Sequence, residues 1–253
     1  MPCVLKTRDL TVQYGERRIL SGISADFQSG LMTAVIGGNG VGKTTYLKAI
    51  AHLTPFRGEI SLDDGGKRFF RESEIAYVPQ LGDLQTKLTV FEMVLLGLVK
   101  HLKWHVRPEQ VELVYETLEE LGIAQIARQP FQTLSGGQKQ LVSMAQSLIG
   151  KPRVLLLDEP TSALDLRHQL LVMDLAQRYT AEHDAVTLFA VHDLMLASRY
   201  AQRLLVLRKG SVFAYDKADA VLTPALIEQV YGVTAGVVAL PQGGRIVLPI
   251  SPL

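Results

Sequence analysis

Apolar and polar residues alternate in two stretches at the start of the chain, "LKTRDLTVQY" and "RRILSGISADFQSG", punctuated by Gly15, Gly22 and Gly30. Alternation rich in β-branched residues predicts strands. From Met32 to Ile36 the pattern becomes a continuous apolar run, a buried strand, which ends in glycines before a helical period begins near Lys43. "GEISLDD" and "EIAYVPQ" predict two further strands, the second ending at Pro79 and Gln80. From about Leu88 to Gly150 apolar residues recur at three- and four-residue steps, with Pro108 suited to a first helical turn. Strand signals return in "RVLLLDEP", "AVTLFAVHD", "RLLVLRKG" and "SVFAY", separated by helical "DLRHQLLVMDLAQRYTAEH" and "LMLASRYA". Strands alternating with helices predict a mainly parallel sheet covered by helices on both faces. The helical stretch is then an insertion into an α/β core. The tail "PQGGRIVLPISPL" predicts a small irregular or β cap.

Composition narrows the class without changing that picture. The chain has 253 residues, 47% of them hydrophobic, enough for a large core and against disorder. Its 26 Lys and Arg against 25 Asp and Glu leave a formal charge of +1, so nothing draws it to nucleic acid or an anionic membrane. One cysteine, Cys3, excludes an internal disulfide framework and suits a reducing compartment. The first ten residues mix charges with apolar positions and do not read as a secretory signal. No run approaches the roughly 20 apolar residues of a spanning helix. If the protein works at a membrane, another chain is expected to span it.

The strongest chemical signal is "GGNGVGKTT", Gly37 to Thr45. Gly37, Gly42, Lys43 and Thr44 fit G-x-x-x-x-G-K-[ST], and the motif lies between a strand and a helix as a phosphate loop must. Gly37, Gly38, Asn39, Gly40, Val41 and Gly42 would turn backbone N–H groups around phosphate oxygens at a helix start. Lys43 would reach the β and γ phosphates, the Thr44 hydroxyl would ligate Mg2+, and Thr45 closes the loop. "VLLLDEP" adds an apolar strand ending in two acids: Asp158 suits a Mg2+-ordering role, and Glu159 the orientation or deprotonation of water. Separately, either motif could be bland, a glycine turn or two solvated acids; together they support each other.

A second glycine-rich helix start, "LSGGQKQ" from Leu134, sits far downstream. Taken in order, "GGNGVGKTT", Gln80, "LSGGQ", "LLLDEP", "SALD" and "VHD" resemble the motif series of ATP-binding cassette (ABC) ATPases over nearly the whole chain. The resemblance implies an α/β fold: a RecA-like P-loop NTPase core (1–83 and 151–253) with an antiparallel β subdomain, and an inserted α-helical subdomain (84–150) carrying the signature. It also implies why there are two loops. Two cassettes pack head to tail as a homodimer, and Ser135, Gly136, Gly137 and Gln138 of each face ATP held by the other's P-loop. As an isolated feature, Ser135 with Gln138 is also an ordinary helix cap.

The same resemblance assigns the remaining positions. Tyr14 would stack on adenine, although alone it could be a core strand tyrosine. Gln80 would sense Mg2+ and the attacking water, Asp165 would lie at the dimer seam, and His192 would contact the γ-phosphate. A lone histidine after a strand is more often structural; its register in "FAVHD" reverses that.

One cassette without a spanning segment is expected to be a stand-alone subunit docking on integral membrane permeases at the cytoplasmic face of a bacterial inner membrane. "LDEPTSALDLRHQL" and "VLTPALIEQVYGV" resemble the ATPases of iron–siderophore, haem and cobalamin importers, which implies an extracytoplasmic substrate-binding protein. Met195 and "YDKADAVL" depart from that subgroup outside the ATP site. The competing expectation is a cassette acting as an ATP-gated binding module on a ribosome or DNA. "VKHLKWHVR" mixes basic and aromatic residues, but a solvated or partner-facing surface accounts for it better than nucleic acid. His101 and His105 stand four apart without a nearby third ligand, so no structural metal is expected there.

Overall fold

The computed structural model describes residues 3–65, 67–68, 74–82, 85–101, 106–240 and 244–253. The alternating start forms two long strands, β1 (Val4–Tyr14) and β2 (Arg17–Gln28), paired antiparallel from Val4 opposite Gln28 to Tyr14 opposite Arg17. With β4 (Arg57–Asp63) and β5 (Lys67–Arg68) they make a four-stranded sheet in the order β2-β1-β4-β5. Between β2 and β4 run β3 (Met32–Ile36) and helix α1 (Lys43–Ile50).

A second sheet of six strands carries the core. It joins β3 to β6 (Ile75–Val78), β7 (Val154–Asp158), β8 (Val186–Ala190), β9 (Arg203–Arg208) and β10 (Ser211–Lys217) in the order β10-β9-β3-β8-β7-β6. Every pairing is parallel except β10 on β9. Strands β3, β7 and β8 are buried along their whole length, which is why they read as continuous apolar runs. The two-residue period nevertheless sorts them: Leu155 and Leu157 pack into one core and Val154 and Leu156 into the other. The core containing Val154 joins the sheet to α1 and the antiparallel sheet. The other holds the face covered by the remaining helices.

Between β6 and β7 the described chain is helical: α2 (Val90–Leu95), a 3-10 segment (Leu96–His101), α3 (Pro108–Glu120) and α4 (Gly136–Leu148). Thr89 and Glu92 form a reciprocal capping box on α2, and Pro108 opens α3 as the sequence predicts. Four residues of the basic and aromatic run, Leu102 to His105, lie outside the described residues.

Helices α5 (Leu166–Glu182) and α6 (Leu194–Tyr200) cover the same face as α4. The chain ends in α7 (Ala218–Val221), α8 (Pro224–Tyr231) and a hairpin, β11 (Val233–Ala239) with β12 (Arg245–Pro252). The expected cap is thus β, and it is tied down. Arg245 N–H donates to Ser198 Oγ of α6 at 2.6 Å, and its guanidinium donates to the Leu222 carbonyl at 3.0 Å.

Candidate nucleotide site

Strand register builds the site. Val35 of β3 pairs with Ala190 of β8, Ala190 with Asp158 of β7, and Leu157 with Val78 of β6. Four parallel strands therefore end at one edge. The residues just beyond are Gly37, His192, Glu159 and Gln80. Ligands of open parallel sheets bind at such an edge.

The loop after β3 needs its glycines. Gly37, Gly40 and Gly42 have φ of 144°, 71° and 107°, a region that disfavours side chains. A Cβ on Gly37 would stand 2.3 Å from the Leu207 carbonyl oxygen, and one on Gly42 would stand 2.5 Å from Leu20 Cδ2. Asn39 and Gly40 are exposed, while Gly38, Val41, Thr44 and Thr45 are half-buried. Gly42 caps α1 without any side-chain hydrogen bond, so the helix start offers its N–H groups to an anion.

Lys43 is buried at this helix start. Its Nζ donates to the Gly37 and Gly38 carbonyls at 3.0 and 3.1 Å and lies 3.5 Å from His192 Nδ1. Burial pulls its pKa down, and the nearby Glu159 and Asp158 carboxylates oppose that pull. His192 Nε2 lies 2.5 Å from Glu159 Oε1. The tautomer that donates from Nε2 to the carboxylate and turns the Nδ1 lone pair to the ammonium satisfies both contacts. Gln80 closes the ring: its Nε2 donates to Glu159 Oε2 and to Ser162 Oγ, both at 3.2 Å.

Glu159 reaches this position through an unusual backbone. Its φ is 49°, a left-handed conformation that costs a non-glycine residue on the order of 1 kcal/mol or more. Its N–H donates to the Ala190 carbonyl at 3.1 Å, and its carbonyl accepts from Ser162 N–H at 3.1 Å, which hold the turn. The chain thus leaves the line of β7 and brings the carboxylate to His192.

Asp158 serves the other flank. Its carboxylate accepts from the Thr44 hydroxyl and from the Tyr77 phenol, each at 2.8 Å. Burial, then the bond to Asp158, pushes the Tyr77 phenol well above its usual range. Thr44, Asp158 and the amide oxygen of Gln80 are hard oxygen donors, suited to Mg2+. Among the described residues no group of three His, Cys, Asp or Glu could hold a metal ion.

Other predicted residues stand apart from this network. Tyr14 is half exposed at the end of β1, its hydroxyl 2.6 Å from Thr54 Oγ1 after α1. Ser135 caps α4 by accepting from Gln138 N–H at 3.3 Å, while Gln138 Oε1 accepts from Ser135 N–H at 3.0 Å. Gly136 is open, with nothing nearer than 3.9 Å to a Cβ placed there. Asp165 caps α5 and pairs with His168. Among the described residues, Ser135, Gln138 and Asp165 share no hydrogen bond with the Lys43, Glu159 and Asp158 group.

Sequence reasoning missed three contributors: Tyr77, Ser162 and Tyr231. Tyr77 and Ser162 lie within a few residues of motifs that were read. Tyr231 comes from α8, 194 positions beyond Gly37, whose N–H donates to its hydroxyl at 3.0 Å. Burial raises the Tyr231 phenol to about 12, and the Gly37 bond partly offsets this.

A glycine loop gripping a buried lysine, two acids at the end of a neighbouring strand and an inserted helical segment define a P-loop ATPase of the cassette type. Comparison with known proteins agrees. The family model described as "ABC transporter" matches residues 20–162, more than half of the chain, and the protein belongs to that family. It binds and hydrolyses ATP. The hemin import ATP-binding protein HmuV of Mesorhizobium japonicum is 35% identical over 261 residues, with 98% of this chain and 99% of that one covered. The iron(3+)-hydroxamate import ATP-binding protein FhuC of Bacillus subtilis is 34% identical, with 95% and 92% covered. In fold the chain matches a metal-chelate type ABC transporter in an inward-facing conformation, with a TM-score of 0.85, 24% identity and 98% of each chain covered.

Tyr231→Phe leaves the buried Gly37 N–H without its acceptor. It is expected to lower stability by about 1–3 kcal/mol, read as a shift of the urea midpoint at constant slope.

Proposed function

We propose that this cassette powers an importer of iron–siderophore, haem or a related metal chelate, docked on a permease at the cytoplasmic face of a bacterial inner membrane. The observation that carries the catalytic reading is the Lys43–His192–Glu159–Gln80 network at the strand edge. The importer and its cargo class rest on relatives such as HmuV and FhuC, which align over nearly the whole chain. Among the described residues no helix is long and apolar enough to cross a membrane, which fits a subunit borne by a spanning partner. The competing reading, a binding module on a ribosome or DNA, has no comparable support.

In this reading the site residues take the following roles. N–H groups of Gly38 to Thr45 cradle the phosphates, and the Lys43 ammonium exchanges its carbonyl partners for β and γ oxygens. Mg2+, when bound, neutralises phosphate charge, held by Thr44 and Asp158 with Gln80 alongside; Tyr77 keeps Asp158 turned towards Thr44. Glu159 orients and deprotonates the water, and His192 fixes the carboxylate while reaching the γ-phosphate. Tyr14 stacks on adenine. Ser135, Gly136, Gly137, Gln138 and Asp165 act in trans, completing the site of a second copy. This suits their separation from the network and the open approach at Gly136. Residues 84–150 work as a helical unit moving against a core of 1–83 and 151–253, with Gln80 near their junction. ATP closes the dimer, closure switches the permease, and hydrolysis resets it, because the nucleotide binds the closed state more tightly. A substrate-binding protein outside the membrane delivers the cargo.

Glu159→Gln is expected to keep ATP affinity and lose roughly 10²–10⁴-fold in turnover; near-normal steady-state hydrolysis would remove Glu159 from its role. Tagged Glu159→Gln protein with ATP, drawn from detergent-solubilised membranes of its native cell, is expected to bring down a many-spanning permease. Recovery of ribosomal or DNA-bound partners alone would overturn the transport reading.

A further inference from the structure

Two segments assigned above to a partner's nucleotide, the α4 start and the turn holding Asp165, are far apart in sequence, yet one side chain touches both. His168 lies in the first turn of α5. Its Nδ1 is 3.0 and 2.9 Å from the two Asp165 carboxylate oxygens, and its backbone N–H donates to Asp165 Oδ1 at 2.9 Å. A carboxylate only accepts, so Nδ1 carries a proton. The bonds to His168 hold the Asp165 carboxyl below its usual pKa, the backbone bond contributing most.

The other side of the imidazole lies against Gly137. A Cβ there would stand 2.2 Å from His168 Cδ2, 2.4 Å from Cγ and 2.7 Å from Nε2. Gly137 is helical and absent from the glycines with positive φ, so backbone conformation does not demand glycine. The ring does, because it fills the space a side chain would take. Gly136 differs: its corresponding space is open. Of the two adjacent glycines, one leaves room for a ligand and the other for His168.

We propose that His168 is a positioning residue that locks the start of α4 and the Asp165 carboxylate into one unit, so that the groups presented to the second copy's nucleotide arrive together. The proposal rests on the shared-site reading. It assigns His168 no contact with ATP.

Two measurements separate the lock from the shared site. Hydrogen exchange on the nucleotide-free protein reads the lock directly. His168→Ala is expected to speed exchange at the amides of 135–139 and leave the amides of 37–45 unchanged. The second measurement uses the Glu159→Gln background and follows ATP-driven dimerisation by sedimentation. There His168→Ala is expected to raise the ATP needed for half-dimerisation about tenfold, the range of couplings between touching groups. Affinity for a fluorescent ATP analogue at the cassette's own P-loop should hold. Gly137→Ala should be worse, and adding His168→Ala to it should recover part of that loss, since the clashing ring is gone.

Unchanged exchange in His168→Ala, or a double variant no better than Gly137→Ala, overturns the lock. A Glu159→Gln parent that stays monomeric at saturating ATP, with faster exchange in His168→Ala, overturns the shared site and with it the proposed purpose of the lock.

Discussion

A buried ammonium is the constraint on which this site depends. Lys43 sits at the start of α1 with almost no exposure, where its charge is disfavoured unless acceptors surround it. Two loop carbonyls supply contact, and the nearby Asp158 and Glu159 carboxylates favour the charged form. That demand brings the loop after β3 together with the ends of β7 and β8. It also explains the tolerance for a left-handed Glu159, whose strain places a carboxylate near the charge. A phosphate chain is a better partner for such a lysine than two carbonyls, so the loop is already organised for ATP.

The fold meets this constraint through register. Parallel β3, β8, β7 and β6 end level, and their two-residue period sends alternate side chains into two different cores. A shift of one residue in β7 would exchange Leu156 with Leu157 between cores and turn Asp158 away from Thr44. Packing on both faces therefore fixes the catalytic geometry as firmly as the motif residues do. The C-terminal elements join in through Tyr231, which ties α8 to the first glycine of the phosphate loop.

Much of this was legible in the sequence because its signals are local. The strand, glycine loop and helix around Lys43, the apolar run ending at Asp158 and Glu159, and the capped start at Ser135 each declare themselves within about ten residues. The helical insertion showed in the change of period after Leu88. What stayed hidden depends on contacts between distant segments. Tyr77 looked like an ordinary strand residue until β6 lay beside β7. Tyr231 could not be joined to Gly37 without the fold. "DLRHQ" stood out only as a resemblance, since nothing local shows that His168 fills the space beside Gly137. The left-handed turn at Glu159 was equally invisible, because glutamate carries no sign of such a conformation.

The central claim is that each ATP lies between two copies, with the P-loop of one and the signature of the other. Mixing two inactive proteins tests it most directly. Lys43→Ala removes the P-loop lysine, and Ser135→Arg blocks the signature. Each alone should hydrolyse almost no ATP. Mixed in equal amounts they can form pairs with one intact site, and roughly a quarter of the wild-type rate per cassette should return, the statistical yield of such pairs. A mixture as inactive as its components, with mixed dimers demonstrably formed, or a Ser135→Arg protein that is fully active alone, would contradict the shared site.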